Sequence, residues 1–239
     1  MASPGISLLK QLRTELKRVA DARKAPQMQA YMKSEMPYLG VQTPVSRPIF
    51  RRLLNPVEFR SASEWRTTVR EIWDDALFRE ERYGALFLCK TKNSRPFQNP
   101  AALPLYRYLV VSGAWWDYVD DIAVHSIAPI VQAYPDVMKP KMLAWSRDKN
   151  IWIRRSAILS QLFAKDATDL KLLYACIEPS LGSEEFFLNK AIGWALRQLA
   201  WTQPKTVLAY VKKNEGRLHP LSVREATKNL KKSLNKENS

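Results

Sequence analysis

The chain has 239 residues, 46% of them hydrophobic, and Lys plus Arg outnumber Asp plus Glu 38 to 23, a formal net charge of +15. That much apolar material excludes disorder throughout, and a pI near 9.9 directs attention to polyanions, nucleic acid first and an anionic membrane surface second. The surplus collects at the ends: 11 basic against 4 acidic residues over 1–60, and 9 against 3 over 204–239.

The N-terminal stretch MASPGISLLKQLRTELKRV has no long apolar run and reads as an amphipathic helix rather than a signal peptide. Further on, Trp65, Val69, Ile72, Trp73 and Ala76 recur at helical spacing, preceded by Ser61 and Glu64 in capping-box register. Strand signals are weak and no NG or DG hairpin turn occurs. Prolines at 44, 100, 104, 135, 140, 179, 204 and 220 separate the helical runs. No segment approaches the ~20 apolar residues of a membrane span. Two distant cysteines, Cys89 and Cys176, suggest neither disulfide nor zinc and fit a reducing cytosol. The expectation is an all-α, cytoplasmic, monomeric protein.

The second half repeats itself. IWIRRSAIL, FFLNKAIGW and PLSVREAT align at a 35-residue period, which places Asp120, Arg155, Lys190 and Glu225 in one column. Trp116, Ile151, Phe186 and Leu221 form a second column four residues earlier. Such a period marks a curved α-solenoid, a superhelix of HEAT-like helical repeats. A single domain over residues 1–232 follows, with a disordered tail at 233–239. Column residues of stacked repeats are neighbours, so Asp120, Arg155 and Lys190 are expected to line one surface.

The chemistry concentrates near GAWWDYVDDI, residues 113–122. On a helical wheel Trp116, Val119, Ala123, Val124 and Ile127 share a face with Asp120 in its middle, while Asp117 and Asp121 lie to the side. A carboxylate on an apolar stripe demands compensation. It is either a buried pair, with Arg155 as the natural partner, or a reactive carboxylate in a partly dry groove. Trp194 falls opposite the stripe Ile192, Ala195, Leu196 and Leu199, beside Lys190 and Arg197; it either packs on a neighbouring helix or meets a base, a sugar or a cation. Arg47, Arg51, Arg52, Arg66 and Arg70 form a cluster suited to phosphates. His125 and His219 are far apart, and neither a Gly-rich phosphate loop nor a GxSxG elbow is present. No metal and no cofactor are expected.

Four ordered segments, YMKSEMPYLGVQTP, WWDYVD, DKNIWIRRSAIL and EEFFLNKAIGWALR, resemble the AlkD-type DNA alkylation repair glycosylases over roughly Gln27 to Lys232. The resemblance implies a HEAT-like repeat fold and double-stranded DNA carrying alkylated purines as partner. It implies Asp120 as the catalytic carboxylate and Trp116 and Trp194 as the lining of the lesion site. It carries Arg155, Tyr31 and Gln42 over as matching positions at the DNA interface. Lys190, Arg197, Arg47 and Arg51 are the further expected DNA contacts. The implied reaction is hydrolysis of the N-glycosidic bond of cationic lesions such as 7-methylguanine and 3-methyladenine, without a deep base pocket. The competing reading is a non-catalytic helical-repeat scaffold for nucleic acid or protein. A carboxylate in the groove speaks against it, since it repels a phosphate backbone.

Overall fold

In a computed structural model of the protein, residues 3–230 are described; the expected disordered tail lies outside them. Among the described residues every regular element is helical. The helices gather into two compact units, Met1–Leu105 and Tyr106–Ser239.

The first unit holds α1 (Pro4–Arg18), α2 (Lys24–Met32), α3 (Thr43–Leu54), α4 (Ala62–Asp74) and α5 (Arg79–Cys89), followed by two 3-10 segments. The amphipathic reading of α1 holds: Leu8, Leu9, Leu12 and Leu16 are buried, and Ser3 accepts the Ile6 N–H as N-cap. In α4 the stripe Trp65, Val69, Ile72 and Trp73 is fully buried. Ser61 accepts from Glu64 N at 3.1 Å, but the Glu64 carboxylate reaches back to Arg60 N rather than to Ser61 N. At the start of α5, Arg79, Glu80 and Glu81 are all buried. Glu80 accepts backbone N–H groups of Leu39 and Val41 at 3.0–3.1 Å, and Glu81 binds Arg13 through two nitrogens. These buried acids staple the Tyr38–Val41 loop and α1 to α5. Within that loop Gly40 has φ +80°, and a Cβ there would stand 2.1 Å from the Asp21 carbonyl oxygen, so only glycine fits.

α6 (Leu103–Gly113) leads into the second unit, which contains α7 (Trp116–Ile122), a π-turn at Ala123–Ile127, α8 (Ala128–Ala133), α9 (Pro135–Trp145), α10 (Ile151–Leu159), α11 (Leu170–Ile177), α12 (Phe186–Leu199), α13 (Pro204–Lys213) and α14 (Pro220–Thr227). The 35-residue period is the spacing of the helix starts. Trp116, Ile151 and Phe186 are each the first residue of their helix, and Leu221 the second. α7 packs on α10, α10 on α12, and α12 on α14, while α9, α11 and α13 lie between them in the chain. Their shared core includes Ala123, Ile158, Leu159, Leu188, Ile192, Leu196, Leu199 and Ala226.

The prolines open helices more often than they separate them. Pro135, Pro204 and Pro220 take the first helical position, where no N–H is needed and φ is already helical. Pro140 departs from the expected pattern, since it lies inside α9. Pro129, one residue into α8, accounts for the π-turn. A proline ring clashes with the carbonyl four residues back, here that of His125, and a wider turn moves that carbonyl aside. The bond from Ala128 N to Ala123 O is the resulting i→i−5 link.

Candidate active site

Each of the three site-bearing helices starts for a local reason. Ala114 has φ +39° and Trp115 is extended at φ −149°, so the chain turns sharply and α7 begins at Trp116. For α10, Asp148 accepts Asn150 N at 2.8 Å, and the Asn150 side chain accepts Trp152 N and Ile153 N at 2.9 and 3.2 Å. The DKN triplet is thus an Asx turn running into an N-cap. For α12, Ser183 accepts Glu185 N from its hydroxyl and the Asn189 amide from its carbonyl. The residues one turn into these helices consequently pair across the stack, Asp120 with Arg155 and Lys190 with Glu225.

Asp120 and Arg155 meet side by side. Arg155 Nε and Nη2 donate to the two carboxylate oxygens of Asp120 at 2.6 and 2.7 Å, and Nη1 donates to the Phe187 carbonyl. The side chains are 14% and 5% exposed respectively. Burial pushes the Asp120 carboxyl above its ordinary range; the Arg155 fork opposes that shift, and the charges of Asp117 and Asp121 reinforce it. The sequence left Arg155 between a phosphate and Asp120. The geometry brings it to Asp120, with all three guanidinium nitrogens engaged inside the protein.

Trp116 is half-buried beside this pair, whereas Val119, Ala123, Val124 and Ile127 are buried as the wheel expects. Trp194 is also half-buried, but it packs against the core cluster of the second unit rather than standing clear of it. The wheel assigned α12 one apolar face; α12 is covered by α10 on one side and α14 on the other, so its far face is also partly packed. Lys190 and Arg197 both reach Glu225, at 2.8 Å for Lys190 Nζ. The Glu225 carboxyl is held below its usual range, first by the Lys190 hydrogen bond and further by the charges of Arg197 and Lys228.

An aromatic cluster escaped the sequence reading. The rings of Trp115, Trp152 and Phe187 stand 4.8–6.0 Å apart, and Phe186 packs edge-on against Phe187 while 57% exposed. Trp115 lies just outside α7 and was invisible to helical periodicity. Its indole N–H is buried without a hydrogen-bond partner among the described residues. Through the Phe187 carbonyl this cluster is tied to Arg155, and so to Asp120.

The remaining expected contacts belong to the first unit. Tyr31 is 77% exposed, Gln42 is the extended N-cap residue of α3 and its side chain makes no cap hydrogen bond, and Arg47 and Arg51 are exposed on one face of α3. Arg52 is drawn off by Glu15 and Arg70 by Asp74. The Glu80 staple fixes the loop directly before Gln42; the signal for it was the run of charges Arg79–Arg82 opening an otherwise apolar helix.

Among the described residues no three His, Cys, Asp or Glu side chains gather as metal ligands would, and no helix is long and apolar enough to cross a membrane. Both cysteines are buried, and burial pushes the Cys176 thiol up to about 12. A cavity of about 450 Å³ lies among Val124, Gln132, Lys139, Gln161, Phe163 and Asp169, and Asp120 does not line it.

Stacked helices, with a largely buried Asp120–Arg155 pair bridging two of them, define an all-α helical-repeat protein. The profile of the DNA alkylation repair enzyme family matches residues 12–230, and the chain belongs to that family. A solved structure described as "Predicted DNA alkylation repair enzyme from Enterococcus faecalis" is similar to it, with 30% sequence identity over 87% of this chain and 95% of that one, at a TM-score of 0.78. Among curated proteins none matches.

Proposed function

We propose that the protein is a monomeric DNA glycosylase that hydrolyses the N-glycosidic bond of cationic N3- and N7-alkylated purines, 3-methyladenine and 7-methylguanine, in duplex DNA. The observation that carries the reading is Asp120: a largely buried carboxylate, 14% exposed and held by Arg155, one helical turn after Trp116, in a chain of net charge +15 that belongs to an alkylation repair family.

Alkylation at N3 or N7 makes the base a cation and therefore a good leaving group. No general acid is needed, which explains why one carboxylate suffices where glycoside hydrolysis usually employs two. As the bond from C1′ to the base nitrogen breaks, its electron pair leaves with the base and positive charge builds on the deoxyribose. Asp120 stabilises that charge and orients the water that attacks C1′, taking up one of its protons. Arg155 fixes the plane of the carboxylate and leaves each oxygen a further lone pair. Trp116 and Trp194 present ring faces to the sugar, favouring its cationic form. Tyr31, Gln42, Arg47, Arg51, Lys190 and Arg197 hold the backbone, which positions the duplex without reading sequence.

One observation favours a second reading. Both Asp120 oxygens are bound by Arg155, as in a purely structural pair within a DNA-binding scaffold. Release of free base from methylated duplex by the pure protein separates the two. The glycosylase releases 7-methylguanine and 3-methyladenine and leaves uracil in place; the scaffold releases nothing. Efficient release of uracil refutes the mechanism, because uracil departs from a neutral nucleotide and needs help this site does not offer.

A further inference from the structure

α14 does more to α12 than close its hydrophobic side. Ser222 Oγ donates to the Asn189 carbonyl at 2.9 Å. Three residues on, the two Glu225 oxygens divide between Lys190 Nζ and Arg197 Nη1. Lys190, Trp194 and Arg197 lie at i, i+4 and i+7 of α12 and so share one face, and Glu225 spans the cations on either side of the indole. The approach depends on Gly193: a Cβ there would stand 2.5 Å from Glu225 Cβ and 3.0 Å from the Ser222 carbonyl oxygen.

The Glu225 side chain is only 12% exposed, while Lys190 and Arg197 remain 37% and 21% exposed. Each cation spends one donor on the carboxylate and keeps the others. A lone lysine and arginine at a surface sample many rotamers and lose that freedom on gripping a ligand. Here a half-buried acid has already fixed both heads. It also cancels one of their two positive charges, so the fork attracts an anion less strongly than two free cations would.

We propose that Glu225 is a positioning residue that holds Lys190 and Arg197 as a preset fork for one phosphodiester of the DNA backbone beside Trp194, trading some attraction for a fixed geometry. The proposal rests on the glycosylase reading for its catalytic consequence, and on DNA binding alone for its electrostatic one.

Both consequences are measured on the full chain. Anisotropy titrations of an undamaged duplex between ~50 and ~200 mM salt compare wild type, Glu225→Gln, the Lys190→Gln/Arg197→Gln double variant, and the triple variant. Glu225→Gln is expected to bind more tightly at low salt, with a salt slope steeper by about one phosphate contact, and the triple variant to match the double. An unchanged slope in Glu225→Gln, or a steepening that persists in the triple variant, overturns the fork, since the effect would then be absent or mere net charge. Single-turnover base release at saturating protein tests the positioning. Glu225→Gln is expected to release base about tenfold more slowly while binding more tightly. Glu225→Asp keeps the charge but is too short to span both cations; it is expected to retain the wild-type slope and release slowly, and it serves if the glutamine variant fails to fold. Wild-type release rates in both variants refute positioning. If wild type itself releases nothing, the glycosylase reading fails and the titrations still decide whether the fork exists.

Discussion

Two carboxylates stand in the same column of the repeat, each bound by a cation 35 residues away, Arg155 for Asp120 and Lys190 for Glu225, and their protonation is tuned in opposite directions. Asp120 is pushed up and Glu225 held down. Their side chains are similarly exposed, at 14% and 12%, but loss of hydration in packed surroundings dominates at Asp120, whereas the contacting cations dominate at Glu225. Asp120 sits in a dense apolar stripe with one arginine and two neighbouring aspartates. Glu225 has a lysine and an arginine in contact, Lys228 nearby, and thin cover over its partners. One repeat position therefore yields a carboxylate whose proton is held more tightly than usual and another kept as a fixed anion.

Removing the cation from each pair tests that contrast most forcefully. Arg155→Ala leaves Asp120 charged in apolar surroundings with no partner, and is expected to cost about 3–5 kcal/mol in urea unfolding. Lys190→Ala leaves Glu225 bound to Arg197 at a more exposed site, and is expected to cost less than about 1 kcal/mol. Equal losses would break the comparison. Between these extremes, Gly193→Ala forces a methyl group against Glu225 and is expected to cost about 1–3 kcal/mol by overpacking, read from the same unfolding curves.

The acid range sharpens the contrast by sign. A carboxyl raised in the folded state binds its proton more tightly than when unfolded. Asp120 therefore favours folding below its folded pKa, and this contribution is lost as pH rises from the ordinary value of 3.8 through the raised one. Glu225 is the reverse: its contribution is present above the ordinary 4.5 and is lost as pH falls through the depressed value. Subtracting the stability profiles of Asp120→Asn and Glu225→Gln from that of wild type should give slopes of opposite sign over these windows. The slopes are bounded by about 1.4 kcal/mol per pH unit.

Much of this was legible from spacing alone. The 35-residue period located the helix starts at Trp116, Ile151 and Phe186, and the column Asp120, Arg155, Lys190, Glu225 pairs as stacked repeats require. What spacing could not supply is the order of pairing along the column: Asp120 takes Arg155, and Lys190 turns away to Glu225. A helical wheel put Trp194 opposite the main stripe and left open whether it packs; a helix inside a stack has more than one covered face, and Trp194 packs against the core cluster. Trp115 and the Phe187 carbonyl were missed for a different reason. One lies outside its helix and the other acts through its backbone, so neither leaves a mark on side-chain periodicity. The Glu80 staple resembles an ordinary surface charge until its burial is known.

The central claim of the proposed function is that Asp120 is the catalytic carboxylate and Arg155 orients it. Single-turnover release of 7-methylguanine from methylated duplex by wild type and Asp120→Asn, with folding of both checked by circular dichroism, tests it most directly. The account predicts a loss on the order of 100-fold or more for Asp120→Asn with duplex affinity retained. Equal release by the two proteins would contradict it.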